Sequence, residues 1–320
     1  MRILVTGAGL IGCYSAARLA DAGHSVVLLD VSPNNDYIGK VLHGKGAVVR
    51  TTDIANVREL PELQASSADK VDMVVHTAGV IGGTARANPY AAMRTNLVGT
   101  IELAEAARAS GVRRIVYAST HGVYELDKIL QPPFQESAPV SAHSVYGATK
   151  LSSEHVLQAF CEAFGMETVV IRFPNVYGYG EFLGGSSGGI AFQQLLLAAM
   201  ENVAISIPHL LNGYGEWLYV KDAALAVQNA LENPLGRKFV VVNVGNGVLH
   251  DEHDIVRAVN ATLPNAKFLS SRDDAAPPKS TERHVAFDLS TAKNEIGYYP
   301  RFSLEVGVRD YLNELKRAVS

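Results

Sequence analysis

RILVTGAGLIG, residues 2–12, reads as a short buried strand that runs directly into a glycine-rich turn. The glycines Gly7, Gly9 and Gly12 have the spacing Gly-x-Gly-x-x-Gly, and a helical stretch follows them. The first glycine permits a tight turn, the second lets a pyrophosphate approach the backbone, and the third lets helix and strand pack closely. The stretch therefore predicts a dinucleotide-binding βαβ unit, and a glycine-rich turn in some other α/β protein is the alternative.

The next apolar run, residues 26–30, ends in the carboxylate of Asp30. At this position a carboxylate accepts hydrogen bonds from the adenosine ribose and repels a 2′-phosphate. The residue type thus predicts NAD, and not NADP, as the cofactor. We also expect the turn residues Leu10 and Ile11 to line the cofactor site.

Strands and helices keep alternating along the chain after Asp30. Apolar strand-like runs occupy residues 47–50, 71–76, 114–120 and 167–173, and helical stretches separate several of them. Such alternation predicts an α/β fold, a Rossmann-type doubly wound parallel sheet with helices on both faces. Ligands of these sheets bind beyond the carboxyl ends of the strands.

The texture of the sequence changes after Phe173, where a glycine-rich segment is followed by mixed helical and extended pieces. We predict an NAD-binding Rossmann domain over residues 1–175, with residues 214–246 returning to it. Residues 176–213 and 247–320 are expected to form a smaller C-terminal substrate-binding lobe.

Composition narrows the class of protein. The chain has 320 residues, 48% of them apolar and 19% charged, with a net charge of −4, which disfavours a nucleic-acid partner. No run approaches the roughly 18 apolar residues that a membrane span requires. Cys13 and Cys161 stand in apolar helical surroundings, so we expect buried thiols and a reducing, cytoplasmic location.

Tyr146 and Lys150 are four residues apart in SVYGATKLSSEH. On a helix this spacing places a phenol and an ammonium group on one face. A nearby positive charge favours the phenolate and lets tyrosine act in proton transfer. Alone the pair is a weak signal, since surface pairs with this spacing are common.

Short motifs extend along nearly the whole chain: residues 6–12, Asp30, Asp53-Ile54, Thr77-Ala78-Gly79, 96–100, Ser119-Thr120, Tyr146 with Lys150, 172–178, 217–222 and 296–300. Together they resemble an extended short-chain dehydrogenase/reductase of the NAD-dependent epimerase/dehydratase family. The glycine turn departs from that family, which usually has one more residue there.

The resemblance implies roles for these residues. Tyr146 would remove a hydroxyl proton, Lys150 would hold the nicotinamide ribose and lower the pKa of the tyrosine, and Thr120 would hydrogen-bond the reacting oxygen. Further residues are expected to contact the cofactor or the substrate. The cofactor contacts would be Asp53, Ile54, Thr77, Ala78, Gly79, Asn96 and Pro174, and the substrate contacts Thr120, His121 and Asn175.

The two positions after Thr120 bear on the reaction. Dehydratases of the family carry an Asp-Glu pair there, and related decarboxylases carry a carboxylate at the second position. This chain has His121 and Gly122, which disfavours both reactions. His121 is either a substrate contact or proton shuttle, or a loop histidine with no role.

Family members that bind nucleotide diphosphate sugars generally hold the diphosphate with arginines. Here Gly215 and Glu216 precede Trp217, and the remaining candidates Arg272 and Arg283 are not in clear register. We therefore expect an oxidoreductase that oxidises or reduces a secondary alcohol or ketone of a sugar, sugar acid or other small metabolite. The alternative is a sugar or nucleotide-sugar 4-epimerase, which uses the same chemistry and returns the hydride.

Other classes fit less well. Residues 185–189 match the Gly-x-Ser-x-Gly elbow of hydrolases but lack the preceding strand, and His250 with His253 lacks further metal ligands, so we expect no metal. A redox-sensing regulator without catalysis would not need the Tyr146 and Lys150 pair. The resemblance also predicts a homodimer through the helices after Asn96 and around Tyr146, although the apolar stripe on the second helix could equally face the core.

Overall fold

A computed structural model describes residues 1–64, 66, 68–128, 133–181, 187–206, 215–269 and 286–319. The strands are β1 Arg2–Thr6, β2 Ser25–Asp30, β3 Ala47–Thr51, β4 Met73–His76, β5 Arg114–Thr120, β6 Glu167–Phe173, β7 Asn175–Tyr177, β8 Ile205–Ser206, β9 Gly215–Tyr219, β10 Phe239–Asn243, β11 Leu249–His250 and β12 Phe268–Leu269. The helices are α1 Leu10–Asp21, α2 Asn35–Leu42, α3 Gly82–Ala87, α4 Pro89–Met93, α5 Gly99–Ser110, α6 Val145–Phe164, α7 Ser187–Met200, α8 Val220–Glu232, α9 Glu252–Asn260, α10 Ser290–Ile296 and α11 Leu304–Val319.

Seven strands form a parallel sheet in the order β10-β6-β5-β4-β1-β2-β3. From β1 the chain first builds outward to β3 and then returns to continue from β4 on the other side. This reversal leaves a crevice beyond the carboxyl ends of β1 and β4, where ligands of such sheets bind. The predicted Rossmann-type α/β fold is confirmed.

Both faces of the sheet are covered by helices. On β1, the side chains of Ile3 and Val5 belong to a core shared with α1 and α8, whereas Leu4 faces a second core shared with α5 and α6. Successive strand residues point to opposite faces, so a strand buried on both sides reads as a continuous apolar run. This is why RILV carries no polar alternation.

The segment from β9 to β10 returns to the body of the sheet in part. Strand β10 pairs with β6 at the sheet edge, and Arg114 of β5 fastens the end of α8 by donating to the carbonyl oxygens of Ala230, Leu231 and Asn233 at 2.7–3.0 Å. Strand β9 instead joins a small separate sheet with β7 and β11.

The predicted substrate-binding lobe stays a prediction. Residues after 175 contribute the β11-β9-β7 sheet, the β12-β8 pair and the last three helices, α9, α10 and α11. Arg272 and Arg283, the remaining candidates for binding a diphosphate, lie outside the described residues.

Two further properties follow from the described parts of the chain. None of their helices combines the length and the apolar character that crossing a membrane would require. Cys13 and Cys161 are both buried free thiols, and burial raises the pKa of Cys13 to about 12. Such thiols stay protonated and unreactive at neutral pH.

Candidate active site

A cleft of about 700 Å³ opens at the carboxyl ends of the central strands. It collects residues from β1 through β7, which are far apart in sequence. The predicted site residues that line it are Gly7, Gly9, Leu10, Ile11, Gly12, Asp30, Asp53, Ile54, Thr77, Ala78, Gly79, Thr120, His121, Tyr146, Lys150, Pro174 and Asn175.

The three glycines of the turn have different physical reasons to be glycine. Gly7 has φ +87°, and a Cβ there would meet the Ala78 backbone nitrogen at 2.7 Å. A Cβ on Gly12 would lie 1.8 Å from the carbonyl oxygen of Gly7. A Cβ on Gly9 would meet no heavy atom within 4 Å, because this backbone faces the open cleft. The space over Gly9 at the start of α1 fits an anionic pyrophosphate.

Asp30 is the last residue of β2, and Asp53 lies just beyond the end of β3. Asp30 accepts hydrogen bonds from the backbone nitrogens of Ala8 at 2.8 Å and Ser32 at 2.9 Å, which hold its carboxylate at the cleft. Asp53 caps the following 3₁₀ helix through the Ala55 nitrogen and pairs with Arg94 at 2.7 Å. That backbone hydrogen bond, helped by Arg94, holds the pKa of Asp53 below its usual value.

A buried histidine supports the segment after β4. The ring of His76 hydrogen-bonds the hydroxyls of Thr6 at 2.7 Å and Thr100 at 2.9 Å. Burial lowers its pKa to about 3, and the charge of Lys150 acts in the same direction. The neutral ring thus ties β1, β4 and α5 together and positions Thr77 at the cleft.

Asn96 stands behind the cleft wall and is the exception among the predicted cofactor contacts. It is 1% exposed. Its side chain accepts from the Val80 nitrogen at 2.7 Å and donates to the Val80 oxygen and to Thr149 at 2.9 Å. The expected direct contact is therefore replaced by support for the loop after Gly79, because every polar atom of the amide already binds protein.

Ser119 and Thr120 end β5 with opposite roles. The Ser119 hydroxyl hydrogen-bonds the buried carboxylate of Glu154, which also pairs with Arg172 at 2.6 Å. Thr120 lines the cleft together with Tyr146, and its side chain acts to lower the pKa of that tyrosine. Since successive strand residues point to opposite sides, only Thr120 presents its hydroxyl beside the tyrosine.

Helix α6 places Tyr146 beside Thr120. Ser144 caps the helix by accepting from the Gly147 nitrogen at 3.0 Å. Gly147 lets the first turn approach closely, since a Cβ there would lie 2.6 Å from the Gly122 carbonyl oxygen. This contact brings the start of the helix against the turn that follows Thr120.

Lys150 lies one turn further along α6 and is buried. Its Nζ donates to the Ala118 carbonyl oxygen at 2.8 Å and lies 4.6 Å from the Tyr117 ring centroid and 5.9 Å from that of Tyr146. Burial lowers the pKa of Lys150 to about 8, opposed by Glu154.

The effect of Lys150 on the pKa of Tyr146 stays a prediction. Burial raises the pKa of Tyr146 above its usual value, and the side chain of Thr120 opposes the rise.

The substrate end of the cleft adjoins a small pocket shared by His121, Pro174, Asn175, Gly215 and Glu216. His121 donates through Nδ1 to the Phe173 carbonyl oxygen at 3.3 Å, since a carbonyl can only accept. Its ring thus lies at the junction of the two cavities.

Gly215 and Glu216 differ in what they face. A Cβ on Gly215 would lie 3.3 Å from Trp217 Nε1 and 3.6 Å from Asn175 Nδ2. Glu216 is buried, and its carboxylate accepts from the backbone nitrogens of Gly247 at 2.7 Å and Phe287 at 2.9 Å. Burial raises its pKa, and these bonds oppose the rise. The carboxylate is therefore a structural acceptor for two loops.

Comparison with known proteins shows the family of this chain. A model of the NAD dependent epimerase/dehydratase family matches residues 3–245. The chain belongs to this family.

Relatives with known activities span nearly the whole chain. A UDP-glucose 4-epimerase of Mycolicibacterium smegmatis is 28% identical over 96% of this chain and 96% of its own length. A dTDP-glucose 4,6-dehydratase of Streptomyces antibioticus is 27% identical over 96% of this chain and 90% of its own. The crystal structure of a Thermotoga maritima UDP-glucose 4-epimerase with UDP-glucose has a TM-score of 0.82 at 24% identity and covers 100% of both chains. That structural likeness shows the fold.

Membership in the epimerase/dehydratase family makes the protein an NAD-dependent enzyme. The prediction that the protein is an enzyme and the prediction that its cofactor is NAD are both confirmed. The predicted family resemblance is confirmed as well. The cleft fits the cofactor, because open space over Gly9, the N-terminus of α1 and the carboxylate of Asp30 lie along one wall.

Two other sequence patterns remain, the histidine pair and the Gly-x-Ser-x-Gly match. His250 lies in β11 and His253 at the start of α9, and the described residues hold no group of three or more His, Cys, Asp or Glu side chains suited to a metal. Of the Gly-x-Ser-x-Gly match, residues 185 and 186 lie outside the described residues, and α7 begins at Ser187.

Sequence reasoning missed several residues at the site. Glu181 lines the cleft from the segment after β7, and the Glu154–Arg172 pair orients Ser119 from behind. The glycine-rich context of Glu181 carried no signal for its role. A buried acid on α6 could have been suspected, since Glu154 lies one helical turn after Lys150 on the same face.

Proposed function

We propose that this protein is an NAD-dependent 4-epimerase of a sugar or nucleotide sugar, which inverts a secondary alcohol by hydride removal and return. Tyr146 and Thr120, which line the cofactor cleft together with Lys150 one turn further along α6, carry this proposal. The relatives named as UDP-glucose 4-epimerases support it.

The residues divide the work between binding and proton transfer. Gly9 and the start of α1 would hold the pyrophosphate of NAD and Asp30 its adenosine ribose, and NAD when bound accepts and returns the hydride. Thr120 and Tyr146 would hold the substrate hydroxyl between them. Tyr146 takes its proton as the carbonyl forms and returns it as the alcohol is restored.

Lys150 supplies the positive charge for this proton transfer. Because burial raises the pKa of Tyr146, the phenolate needs a neighbouring cation to form near neutral pH. The ammonium group 5.9 Å from the ring centroid is the nearest described candidate in the protein. Its own low pKa of about 8 reflects the cost of keeping that charge buried.

Loss of water is disfavoured as the reaction. Dehydration requires an acid and a base at the reacting carbon, yet His121 and Gly122 directly follow Thr120. Among the described lining residues, Asp30 ends β2, Asp53 lies beyond β3, Glu181 follows β7 and binds Asn34, and Glu216 is bound to backbone nitrogens. None of these carboxylates adjoins Thr120.

A dehydrogenase acting on a small hydroxylated metabolite is the second candidate. Among the described residues that line the two cavities, Lys150 is the only lysine or arginine. Gly215 and the buried Glu216 offer no bidentate partner to a diphosphate. This arrangement favours a smaller substrate.

One assay separates the two candidates. The purified enzyme is incubated with NAD and, in turn, UDP-glucose, UDP-glucuronic acid, free hexoses and sugar acids, while NADH absorbance and the product epimer are both measured. Epimer without net NADH supports the epimerase. Stoichiometric NADH with an oxidised product overturns it in favour of the dehydrogenase.

We also infer a homodimer built through α5 and α6. Of the predicted apolar stripe on α6, Leu157 faces the core, whereas Phe164 is 52% exposed. Met93 and Val98, which precede α5, are each 44% exposed. Light scattering that gives a monomer at micromolar concentration would contradict the dimer. The cytoplasmic location stays a prediction.

A further inference from the structure

Glu181 connects two parts of the chain across the rim of the cofactor cleft. Its carboxylate accepts a hydrogen bond from Asn34 Nδ2, although the two residues are 147 positions apart. Glu181 also lines the cleft, as do Asp30 and Val31 at the end of β2. The segment after β7 thus places a second carboxylate at the part of the cleft that Asp30 serves.

The position of Glu181 is fixed by packing. The preceding Tyr179 is 6% exposed and packs edge-on against Tyr37 of α2, with ring centroids 5.8 Å apart. The Tyr37 hydroxyl donates to the Tyr179 carbonyl oxygen at 3.3 Å. Residues 179–181 therefore dock on α2 through aromatic and polar contacts, and Glu181 does not depend on one exposed hydrogen bond.

Both polar atoms of the Asn34 side-chain amide make hydrogen bonds. Its Oδ1 accepts from the Tyr37 nitrogen at 3.1 Å as the N-cap of α2, which directs Nδ2 toward Glu181 Oε2. Within the described residues, Glu181 Oε1 has no hydrogen-bond partner. The carboxylate keeps a free oxygen beside the cleft.

We propose that Glu181, oriented by Asn34, is a second carboxylate that selects NAD against NADP. A 2′-phosphate would bring up to two negative charges to the part of the cleft that already carries Asp30. Glu181 adds repulsion from the segment after β7, and its free oxygen can accept from a ribose hydroxyl. Glu181 lies after β7. It is therefore outside the βαβ unit of residues 2–30, whose Asp30 is expected to set the preference for NAD.

The expected size of the effect on NADP affinity follows from the solvent exposure of Glu181. Glu181 is exposed to solvent, so its repulsion acts through a high dielectric and is screened by salt. Two charges on the phosphate at roughly 6 Å correspond to about a tenfold change in affinity at low ionic strength. The contribution falls to about twofold near 1 M salt, where the Debye length is about 3 Å.

The test replaces Glu181 by glutamine, which can still accept from Asn34 but has no charge. Displacement of enzyme-bound NADH by NAD and by NADP, followed by NADH fluorescence, measures both affinities without turnover. Glu181→Gln is expected to strengthen NADP binding about tenfold at low salt and to change NAD binding less than threefold. High salt should reduce the gain.

A matched control is Asp36→Asn. Asp36 lies on the exposed first turn of α2, close in sequence to Asn34, but does not line the cleft. Its loss is expected to leave the ratio of NAD to NADP affinities within twofold of wild type. Asn34→Ala keeps the charge of Glu181 but frees it, and should give a gain between those of the other two variants.

Two results would overturn the proposal. If Glu181→Gln leaves the ratio of affinities unchanged, the charge plays no part in selection. If it weakens NAD and NADP equally, Glu181 only bridges the β7–α7 segment and α2.

Discussion

The two ends of the cleft are built on different physical principles. At the cofactor end, backbone groups and glycines close in sequence form the surface, and Gly7, Gly9 and Gly12 act within one turn. At the substrate end, side chains and loops from β5, β7, β9 and the segment around residue 287 meet. Backbone recognition requires a local conformation, whereas side-chain recognition requires distant segments to be packed correctly. The first is readable from sequence spacing and the second is not.

Tyr146 lines the main cleft, so its loss tests whether proton transfer can be separated from cofactor binding. Tyr146→Phe removes the group that exchanges the substrate proton and is expected to lower turnover by about 10²- to 10⁴-fold. Cofactor affinity, measured by NADH fluorescence, should change less than threefold. Turnover within fivefold of wild type would assign the proton transfer to another group.

A pair of glycine variants sharpens the description of the cofactor end. Gly12→Ala places a methyl group 1.8 Å from the Gly7 carbonyl oxygen and should reduce the free energy of unfolding by about 3 kcal/mol or more, because backbone cannot move aside easily. Urea unfolding measures this.

Its matched partner is Gly9→Ala, whose methyl group meets no protein atom within 4 Å. Stability should change by less than about 1 kcal/mol, while NAD affinity falls roughly tenfold because the methyl group occupies the approach to the backbone. Equal unfolding free energies for the two variants would contradict the distinct roles assigned to Gly9 and Gly12.

A second pair of variants, at Glu216 and Gly215, tests the substrate end of the cleft. Glu216→Ala leaves the backbone nitrogens of Gly247 and Phe287 without their acceptor, with an expected loss of about 2–3 kcal/mol in unfolding free energy. Gly215→Ala should cost less than about 1 kcal/mol but alter KM, since its methyl group points toward Asn175. A stable Glu216→Ala variant with impaired substrate binding would show that the carboxylate contacts substrate.

Protonation of the buried His76 tests the packing of β1, β4 and α5, which supports both ends of the cleft. Its folded-state pKa of about 3 lies below the unfolded value of 6.5, so the unfolded chain binds the proton first as the pH falls. Stability from this group is therefore present above pH 6.5 and is lost below it, by about 2 kcal/mol at pH 5. Urea unfolding from pH 7 to pH 5 should show a loss of stability that is larger by this amount in the wild type than in His76→Gln. Parallel slopes would place the histidine outside the buried network.

Most strands of the main sheet could be predicted from the sequence because a doubly covered parallel strand is a continuous apolar run. Residues 114–120 and 167–173 were predicted with the bounds that β5 and β6 have. The helix expected after Asn96 is different, since α5 begins at Gly99 after a π-helical turn, Arg94–Val98. A Cβ on Gly99 would lie 2.5 Å from Ile54, a close approach that local periodicity does not reveal.

The cofactor class, the family and the order of the fold were all legible in residues 2–30 and the motifs that follow, because they depend on local backbone geometry and on the carboxyl ends of successive strands. Folding in three dimensions assigned the remaining roles. It turned Ser119 toward Glu154 and Thr120 toward Tyr146, took Asn96 behind the wall, buried Glu216 among backbone nitrogens, and brought Glu181 to Asn34. These contacts join residues far apart in the chain, and the burial that packing imposes raises the pKa of Tyr146 and of Glu216.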